Sequence, residues 1–166
     1  MESYLLDTSA LSPLVDPGHP QHTVARAVVA ALGTAPIYVS RVALAEMRYG
    51  IQLYEMATGA SLPNAAAMIA SAQQFPRMEI TRHTVTEYAE LKSILAVHYL
   101  PNVTRQFRRR YVEDWIDKFT GKALHVDDND LWICAQARET NLTVITGDRR
   151  MEVIRRADPS VKLLII

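Results

Sequence analysis

The chain is poor in cysteine, carries no excess of charge of either sign and has no long apolar run. Its single cysteine, Cys134, excludes an internal disulfide and argues against a metal centre built from thiolates. No apolar run approaches the ~18 residues of a membrane span, and the N-terminus lacks the basic start and long apolar stretch of a signal peptide. We therefore expect a cytoplasmic protein that does not enter a membrane.

Internal repeats, low-complexity segments and long linkers are also missing from the sequence. With 49% apolar and 22% charged residues, a chain of 166 residues can bury the core of one ordinary domain, which we expect to span residues 1–166. Basic and acidic residues number 18 each, so the net charge is zero. This balance understates the positive field of the protein if bound cations neutralise several of the acids.

The order of apolar runs and helix-forming segments predicts the fold class. Strands are expected near residues 3–7, 37–40, 78–80, 142–146 and 161–165. Helices are expected near residues 20–33, 41–58, 62–75, 82–99, 105–119, 128–140 and 149–156, with prolines and glycines as breaks. This alternation is typical of an α/β protein whose central parallel sheet, here of about five strands, is covered by helices on both faces.

Two aspartates follow short apolar runs that have the character of buried strands. Asp7 ends the run at residues 4–6, and Asp148 follows the run at residues 142–146 through a turn at Gly147. Open α/β sheets bind their ligands outside the carboxyl ends of the strands. An acid contributes little to packing there, so we predict that both carboxylates belong to a functional site.

Two further acids, Glu46 and Asp130, fall in helix-forming segments. Glu46 lies in the helix after the second strand, with Ser40 as the predicted N-cap, and would sit about one to two turns into that helix. Asp130 opens the segment 130–137, whose helix N-terminus favours a carboxylate. Taken alone, each acid has an ordinary explanation, Glu46 as a solvated helix residue and Asp130 as a helix cap.

The order of these four acids resembles that of the PIN-domain ribonucleases, and in particular of the VapC-type toxins of bacterial toxin–antitoxin pairs. The matching blocks are LLDTSAL (5–11), SRVALAEMRYG (40–50), EYAEL (87–91), GKALHVDDNDLWICAQA (121–137) and LTVITGDRRME (142–152). The resemblance spans almost the whole chain. It implies a PIN-like fold, with Asp7, Glu46, Asp130 and Asp148 as the metal-binding acids of the family.

Four clustered carboxylates repel one another, so the resemblance also has a chemical consequence. Such a cluster requires raised pKa values or divalent cations, and hard oxygen ligands without a His/Cys set select Mg²⁺ or Mn²⁺. The fitting reaction is phosphodiester hydrolysis, and the family implies an endoribonuclease that leaves a 5′-phosphate and a 3′-hydroxyl. Asp7 is the expected central ligand, while Ser9 and Thr146 would orient ligands or waters.

Three residues near Asp130 compete for a place in this site. Asp127 and Asp128 precede it, but the family pattern puts the acid directly before the Leu-Trp-Ile-Cys-Ala block, so we interpret both as loop or outer groups. His125 is a candidate general base. We interpret it as a structural histidine, since cation-assisted hydrolysis needs no side-chain base.

The densest basic stretch lies between two family-like blocks, where residues 100–120 exceed the usual connection. We interpret this segment as an inserted helix. Arg108, Arg109 and Arg110 stand there beside aromatic residues, a combination that suits phosphates and unstacked bases. These arginines are therefore candidate RNA contacts, and a solvated helix face is the alternative interpretation.

The helix after the second strand is expected to carry more apolar side chains than one face of an amphipathic helix needs. They are Leu44, Met47, Tyr49, Ile51, Leu53, Tyr54 and Met56. VapC-like proteins typically form homodimers and grip an antitoxin tail across this region, so the resemblance implies a homodimer with a small antitoxin partner. Packing of these side chains in the core of the protein itself is the alternative.

Three other functions deserve comparison with the nuclease. A haloacid-dehalogenase-type phosphatase requires a second acid two residues after the first, where this chain has Ser9. A phosphoacceptor signalling domain carries its modified aspartate in mid-chain, whereas the first acid here is Asp7. A non-catalytic PIN-like module that only binds nucleic acid remains the alternative, and metal-dependent cleavage of RNA distinguishes it from the nuclease.

Overall fold

The structure is a computed structural model that describes residues 2–104 and 111–166. At its centre lies a five-stranded sheet in the order β3-β2-β1-β4-β5, and all neighbouring strands are parallel. The strands are β1 (Tyr4–Leu6), β2 (Ile37–Ser40), β3 (Arg77–Met78), β4 (Thr143–Thr146) and β5 (Lys162–Ile165).

Seven α-helices accompany the sheet in the described part of the chain. They are α1 (Thr8–Val15), α2 (His22–Ala31), α3 (Arg41–Thr58), α4 (Ala65–Ala72), α5 (Arg82–Tyr99), α6 (Asp128–Thr140) and α7 (Glu152–Ala157). The predicted α/β class with a five-stranded parallel sheet is confirmed. Across both described ranges, no helix combines the length and the apolar character needed to cross a bilayer.

The two central strands are apolar because both of their faces are buried. Leu5, Leu6, Val144 and Ile145 are fully inaccessible to solvent, as expected for inner strands of a parallel sheet. In the register, Leu6 pairs with Val39 on one side and with Ile145 on the other. The residues that follow these three strands therefore emerge side by side at one edge of the sheet.

A buried glutamine ties helix α6 to this edge. The Ser40 hydroxyl caps α3 by accepting the Val42 amide at 3.0 Å, and it donates to Oε1 of Gln136 at 2.6 Å. Nε2 of Gln136 in turn donates to the Met78 carbonyl at 3.0 Å. Both side chains are excluded from solvent, where an unmade hydrogen bond is costly. This network holds α6 in register with β2 and β3.

Three sequence-based expectations differ from the structure. The helix expected near residues 105–119 is wrong over 111–119, where Val112–Asp114 form a single 3₁₀ turn. The carboxylate of Asp117 accepts the Phe119 amide and the Thr120 hydroxyl, and such local bonds compete with helix formation. Helix α1 was not anticipated, since Pro13 lies inside it. Strand β3 comprises Arg77–Met78 rather than 78–80.

Candidate functional site

Asp7 is almost fully buried at the start of α1, with 4% of its surface exposed. Its Oδ1 atom accepts the Thr8 amide at 2.6 Å, so Asp7 is the N-cap of the helix. Its Oδ2 atom accepts the hydroxyls of Ser9 at 2.6 Å and Thr146 at 2.8 Å. Three donors therefore hold the carboxylate in one orientation at the end of β1.

The two hydroxyl groups that hold Asp7 also join β4 to α1. The Oγ atoms of Ser9 and Thr146 lie 3.0 Å apart, and the Ser9 oxygen accepts the Gly147 amide at 2.8 Å. A Cβ atom on Gly147 would lie 3.1 Å from the Ser9 carbonyl oxygen, closer than ordinary packing allows. Glycine at this turn therefore avoids a tight contact with the backbone of α1.

Glu46 lies half-buried on α3 and reaches toward the same edge. Its Oε2 atom accepts the Thr8 hydroxyl, and its Oε1 atom accepts Nδ2 of Asn129 at 2.9 Å. Burial raises the pKa of Glu46, the two hydrogen bonds oppose that shift, and the charges of Asp127 and Asp7 add to it. Sequence reasoning missed Asn129, although it stands within the acidic run 127–130.

Asp127 and Asp130 form a reciprocal cap at the start of α6. The Asp130 amide donates to Oδ1 of Asp127 at 2.9 Å, and the Asp127 amide donates to Oδ2 of Asp130 at 3.1 Å. The cap is therefore Asp127, and Asp130 is the third residue of the helix. Burial raises the pKa of Asp130 to about 8, with the charges of Asp127, Asp7 and Asp148 adding to the shift.

Asp148 follows β4 and is paired with Arg150. The guanidinium Nε atom lies 2.9 Å from both carboxylate oxygens, and Nη2 lies 2.6 Å from Oδ2. The Arg150 amide also donates to Oδ1 at 2.8 Å. Hydrogen bonds from Arg150 lower the pKa of Asp148, although partial burial acts against them.

All four predicted acids line one cleft of about 420 Å³ at the carboxyl edge of the sheet. We call this the acidic cleft. Its lining consists of Asp7, Thr8, Ser9, Ser12, Pro13, His19, Gln21, Glu46, Asp127, Asp130, Gly147, Asp148 and Arg150. His19, Gln21 and Arg150 were not foreseen, because their neighbours in the sequence have the composition of ordinary turns. The structure therefore brings the quartet to one surface, while the catalytic roles remain predictions.

Two of the competing residues point elsewhere. Oδ1 of Asp128 accepts the Tyr88 hydroxyl at 2.7 Å and Nζ of Lys92 at 2.6 Å, on the side of α6 that packs against α5. His125 is exposed and has a left-handed backbone with φ of 55°. Neither residue is among the described side chains that line the acidic cleft.

The donor set fits a hard divalent cation, since carboxylates and hydroxyls are the ligands that Mg²⁺ and Mn²⁺ prefer. A bound cation would also offset the repulsion that contributes to the raised pKa values of Asp130 and Glu46. Over residues 2–104 and 111–166, no three His, Cys, Asp or Glu side chains are arranged to hold one ion. Each acid also accepts a hydrogen bond from a protein donor.

The candidate RNA contacts Arg108, Arg109 and Arg110 lie outside the described residues. Their contact with RNA therefore stays a prediction, as does the interpretation of residues 100–120 as an insertion.

Comparison with solved structures finds the same fold in several protein assemblies. VapBC2 from Rickettsia felis, bound to a promoter DNA fragment, is 17% identical over 98% of this chain and 97% of that chain, with a TM-score of 0.63. DNA-bound VapBC from Salmonella typhimurium is 19% identical over 99% and 98%, with a TM-score of 0.62. VapBC-5 from Mycobacterium tuberculosis is 20% identical over the full length of both chains, with a TM-score of 0.59.

These identities show a shared fold and no more. A search of curated proteins by sequence finds no match. The model of one protein family, the PIN domain, matches residues 4–157. Because that match covers most of the chain and includes all four acids, the protein belongs to the PIN domain family.

Proposed function

We propose that this protein is a divalent-metal-dependent endoribonuclease and the toxin of a toxin–antitoxin pair. The observation that carries the proposal is the acidic cleft, where four carboxylates far apart in sequence meet at the carboxyl edge of a PIN-domain sheet. Clustered acids of this kind are costly to fold without a compensating cation. Their retention at one edge supports catalysis over simple binding of nucleic acid.

The residues that would hold Mg²⁺ or Mn²⁺ are Asp7, Glu46, Asp130 and Asp148. When bound there, such an ion acidifies water and stabilises the charge that develops on phosphate oxygens during hydrolysis. Asp7 presents its carboxylate in a fixed orientation because three donors hold it. Burial raises the pKa of Asp130 to about 8, so ion binding near neutral pH should release a proton from it.

The proposed antitoxin contact is the outer face of α3. Met47 and Ile51 are buried in the core, as the packing alternative expected. The side chains of Tyr49, Leu53, Tyr54 and Met56 are exposed, the last of these at 87%. Exposed apolar side chains of this size on one helix favour a partner, and methionine and tyrosine suit adaptable interfaces.

A groove of about 220 Å³ lies between α3 and α4, and it combines apolar and basic side chains. Its lining consists of Arg41, Leu44, Ala45, Met47, Arg48, Ile69, Gln73 and Arg77. Arg48 and Arg77 beside an apolar floor suit a segment that carries both apolar and acidic residues, whereas Arg41 is paired with Glu79. The VapBC assemblies of similar fold support an antitoxin as that partner. We further propose a cytoplasmic homodimer.

Cleavage of single-stranded RNA tests the nuclease. Purified protein should cut RNA with Mg²⁺ or Mn²⁺ and lose this activity in a chelator. Asp7→Asn should abolish cleavage while the fold persists, because a ligand charge is lost and acid repulsion falls. Asp16→Asn is the matched control, since Asp16 ends the same helix and does not line the acidic cleft. Chelator-resistant activity, or full activity of Asp7→Asn, would contradict the metal mechanism.

A separate experiment tests the partners. Light scattering should show a dimer at micromolar concentration, and co-expression with a small gene adjacent to this one should yield a co-purifying complex. Replacing Tyr49 and Met56 by serine should weaken association without changing RNA cleavage by the free protein. A monomer with no co-purifying partner would reject the antitoxin and dimer assignments and leave the nuclease intact.

A further inference from the structure

The acidic cleft must accept a polyanion although it is rich in acids. Five carboxylates line it, and among the described lining residues Arg150 is the sole lysine or arginine. Among these described residues, Arg150 near the end of β4 is therefore the permanently charged cation that an entering phosphodiester would meet. Arg150 is the natural candidate for the first contact with an RNA phosphate.

In this structure the guanidinium of Arg150 is occupied by Asp148. Nε bridges both carboxylate oxygens at 2.9 Å, and Nη2 approaches Oδ2 at 2.6 Å. Asp148 is one of the acids proposed to hold the cation. A divalent cation and the guanidinium therefore compete for the same carboxylate oxygens.

We propose that Arg150 exchanges partners during the reaction cycle, pairing with Asp148 in the absence of metal and with an RNA phosphate once a divalent cation has taken that carboxylate. This inference rests on the proposed nuclease function and assigns to Arg150 a substrate-positioning role. Guanidinium suits both partners, because its planar fork matches carboxylate and phosphate equally well.

The exchange requires only a side-chain movement. The Arg150 side chain is 64% exposed and that of Asp148 is 19% exposed, so solvent screens the pair and its rupture costs little. The turn itself does not depend on the guanidinium. The Arg150 amide donates to Oδ1 of Asp148 at 2.8 Å, and the Asp148 amide donates to Oγ1 of Thr146 at 2.9 Å. The backbone can therefore stay in place while the side chain swings.

The first measurement is Mn²⁺ binding to the metal-free protein by isothermal titration calorimetry. Arg150→Ala should tighten Mn²⁺ binding by roughly two- to fivefold, the range expected when one partly exposed ion pair no longer competes. Arg149→Ala is the matched control. It removes the same charge from the neighbouring residue, which is exposed and is not among the described residues lining the cleft. The difference in Mn²⁺ affinity between the two variants separates the effect of the Arg150–Asp148 ion pair from the general effect of removing one positive charge.

The second measurement is RNA cleavage at saturating Mn²⁺. Arg150→Ala should raise KM with little change in kcat, because a contact made equally in the ground and transition states is lost. The salt dependence of RNA binding should flatten by roughly 0.7 in slope, the value for one phosphate contact on a single strand. Arg150→Lys should restore part of the RNA affinity, since it keeps the charge without the fork.

Opposite effects on the two ligands are the signature of the exchange. Tighter Mn²⁺ together with weaker RNA, in Arg150→Ala but not in Arg149→Ala, would support it. Equal Mn²⁺ affinity in the two variants, an unchanged KM, or weaker binding of both ligands would overturn it, the last by indicating a structural role. Wild-type protein that neither binds Mn²⁺ nor cleaves RNA would instead reject the proposed function itself.

Discussion

The first turn of α6 carries two aspartates, Asp128 and Asp130, whose surroundings differ in the sign of the nearest charge. Asp130 faces the acidic cleft, where burial and the neighbouring acids raise its pKa to about 8. Asp128 faces α5, where burial raises its pKa but hydrogen bonds from Lys92 and Tyr88 outweigh that effect and lower it. The same residue type on one helical turn thus has opposite pKa shifts.

The second environment is a polar and aromatic cluster between α5 and α6, which we call the Lys92 cluster. It consists of Tyr88, Lys92, Asp128 and Trp132, with the Tyr88 and Trp132 rings stacked at 3.9 Å. The Tyr88 hydroxyl, the Lys92 ammonium and Oδ1 of Asp128 are all hydrogen-bonded, so the cluster stabilises the helix pair. The acidic cleft keeps an excess of like charge, which stability alone does not favour. The contrast separates an aspartate that packs helices from one that we propose binds the cation.

The largest effect should come from exchanging the two aspartates for asparagine one at a time. Asp130→Asn should lower metal-dependent RNA cleavage by at least on the order of 100-fold, since even groups that only orient metal ligands contribute 10- to 100-fold. Asp128→Asn should leave turnover by the folded protein near the wild-type value. Cleavage rates normalised to the folded fraction measure both, and loss of activity in folded Asp128→Asn would erase the distinction between the regions.

The pH dependence of stability should have opposite signs at the two aspartates. For Asp130 the folded pKa of about 8 exceeds the unfolded pKa of about 3.9. Its contribution to stability is therefore fully present below about pH 3.9 and is lost as pH rises toward 8. For Asp128 the folded pKa is lowered. Its contribution is present above about 3.9 and is lost as pH falls through the folded pKa.

Urea unfolding of metal-free protein across this pH range checks both signs. Asp130→Asn should flatten the decline in free energy of unfolding between about pH 4 and pH 8. Asp128→Asn should be destabilising at neutral pH and lose most of its effect in acid. A variant pair with parallel pH profiles would show that the two carboxylates have similar environments in solution.

The smallest effect concerns the cation of the Lys92 cluster. Lys92→Met should lower the free energy of unfolding by about 1–2 kcal/mol, because Asp128 loses a charged donor in a half-buried position. Lys122→Met is the control, since this exposed loop lysine should change stability by less than about 0.5 kcal/mol. RNA cleavage by folded Lys92→Met should persist. A neutral outcome in urea would mean that solvent already screens the pair.

Strand positions and most helices followed from local pattern. The short apolar runs at β1 and β4 are typical of inner strands of a parallel sheet, which are buried on both faces. Ser40 is a residue type that favours the N-cap position. The error at 111–119 has a local cause in the Asp117 turn, which the basic and aromatic composition of the neighbouring residues concealed. Helix α1 escaped notice because Pro13, which lies in its second turn, counts against a helix in any local pattern.

Some residues of the candidate site could likewise be predicted from the sequence, and others could not. Asp7 and Asp148 were predictable from their place after strands, and Glu46 and Asp130 needed the family order as well. The contributions of Asn129, which donates to Glu46, and of His19 and Arg150, which line the cleft, could not be predicted, because their positions depend on packing. The assignment of the cap to Asp127 rather than Asp130 likewise depends on where α6 begins.

By itself the sequence determined the α/β class, the family and the four acids, because strand periodicity, capping and residue order are properties of neighbours along the chain. Only the tertiary structure decided which aspartate of the run 127–130 meets Lys92 and which meets other acids. The physical reason is that charge environments arise from distances of a few ångströms between segments far apart in sequence. Those distances exist only once α5, α6 and β4 have packed together.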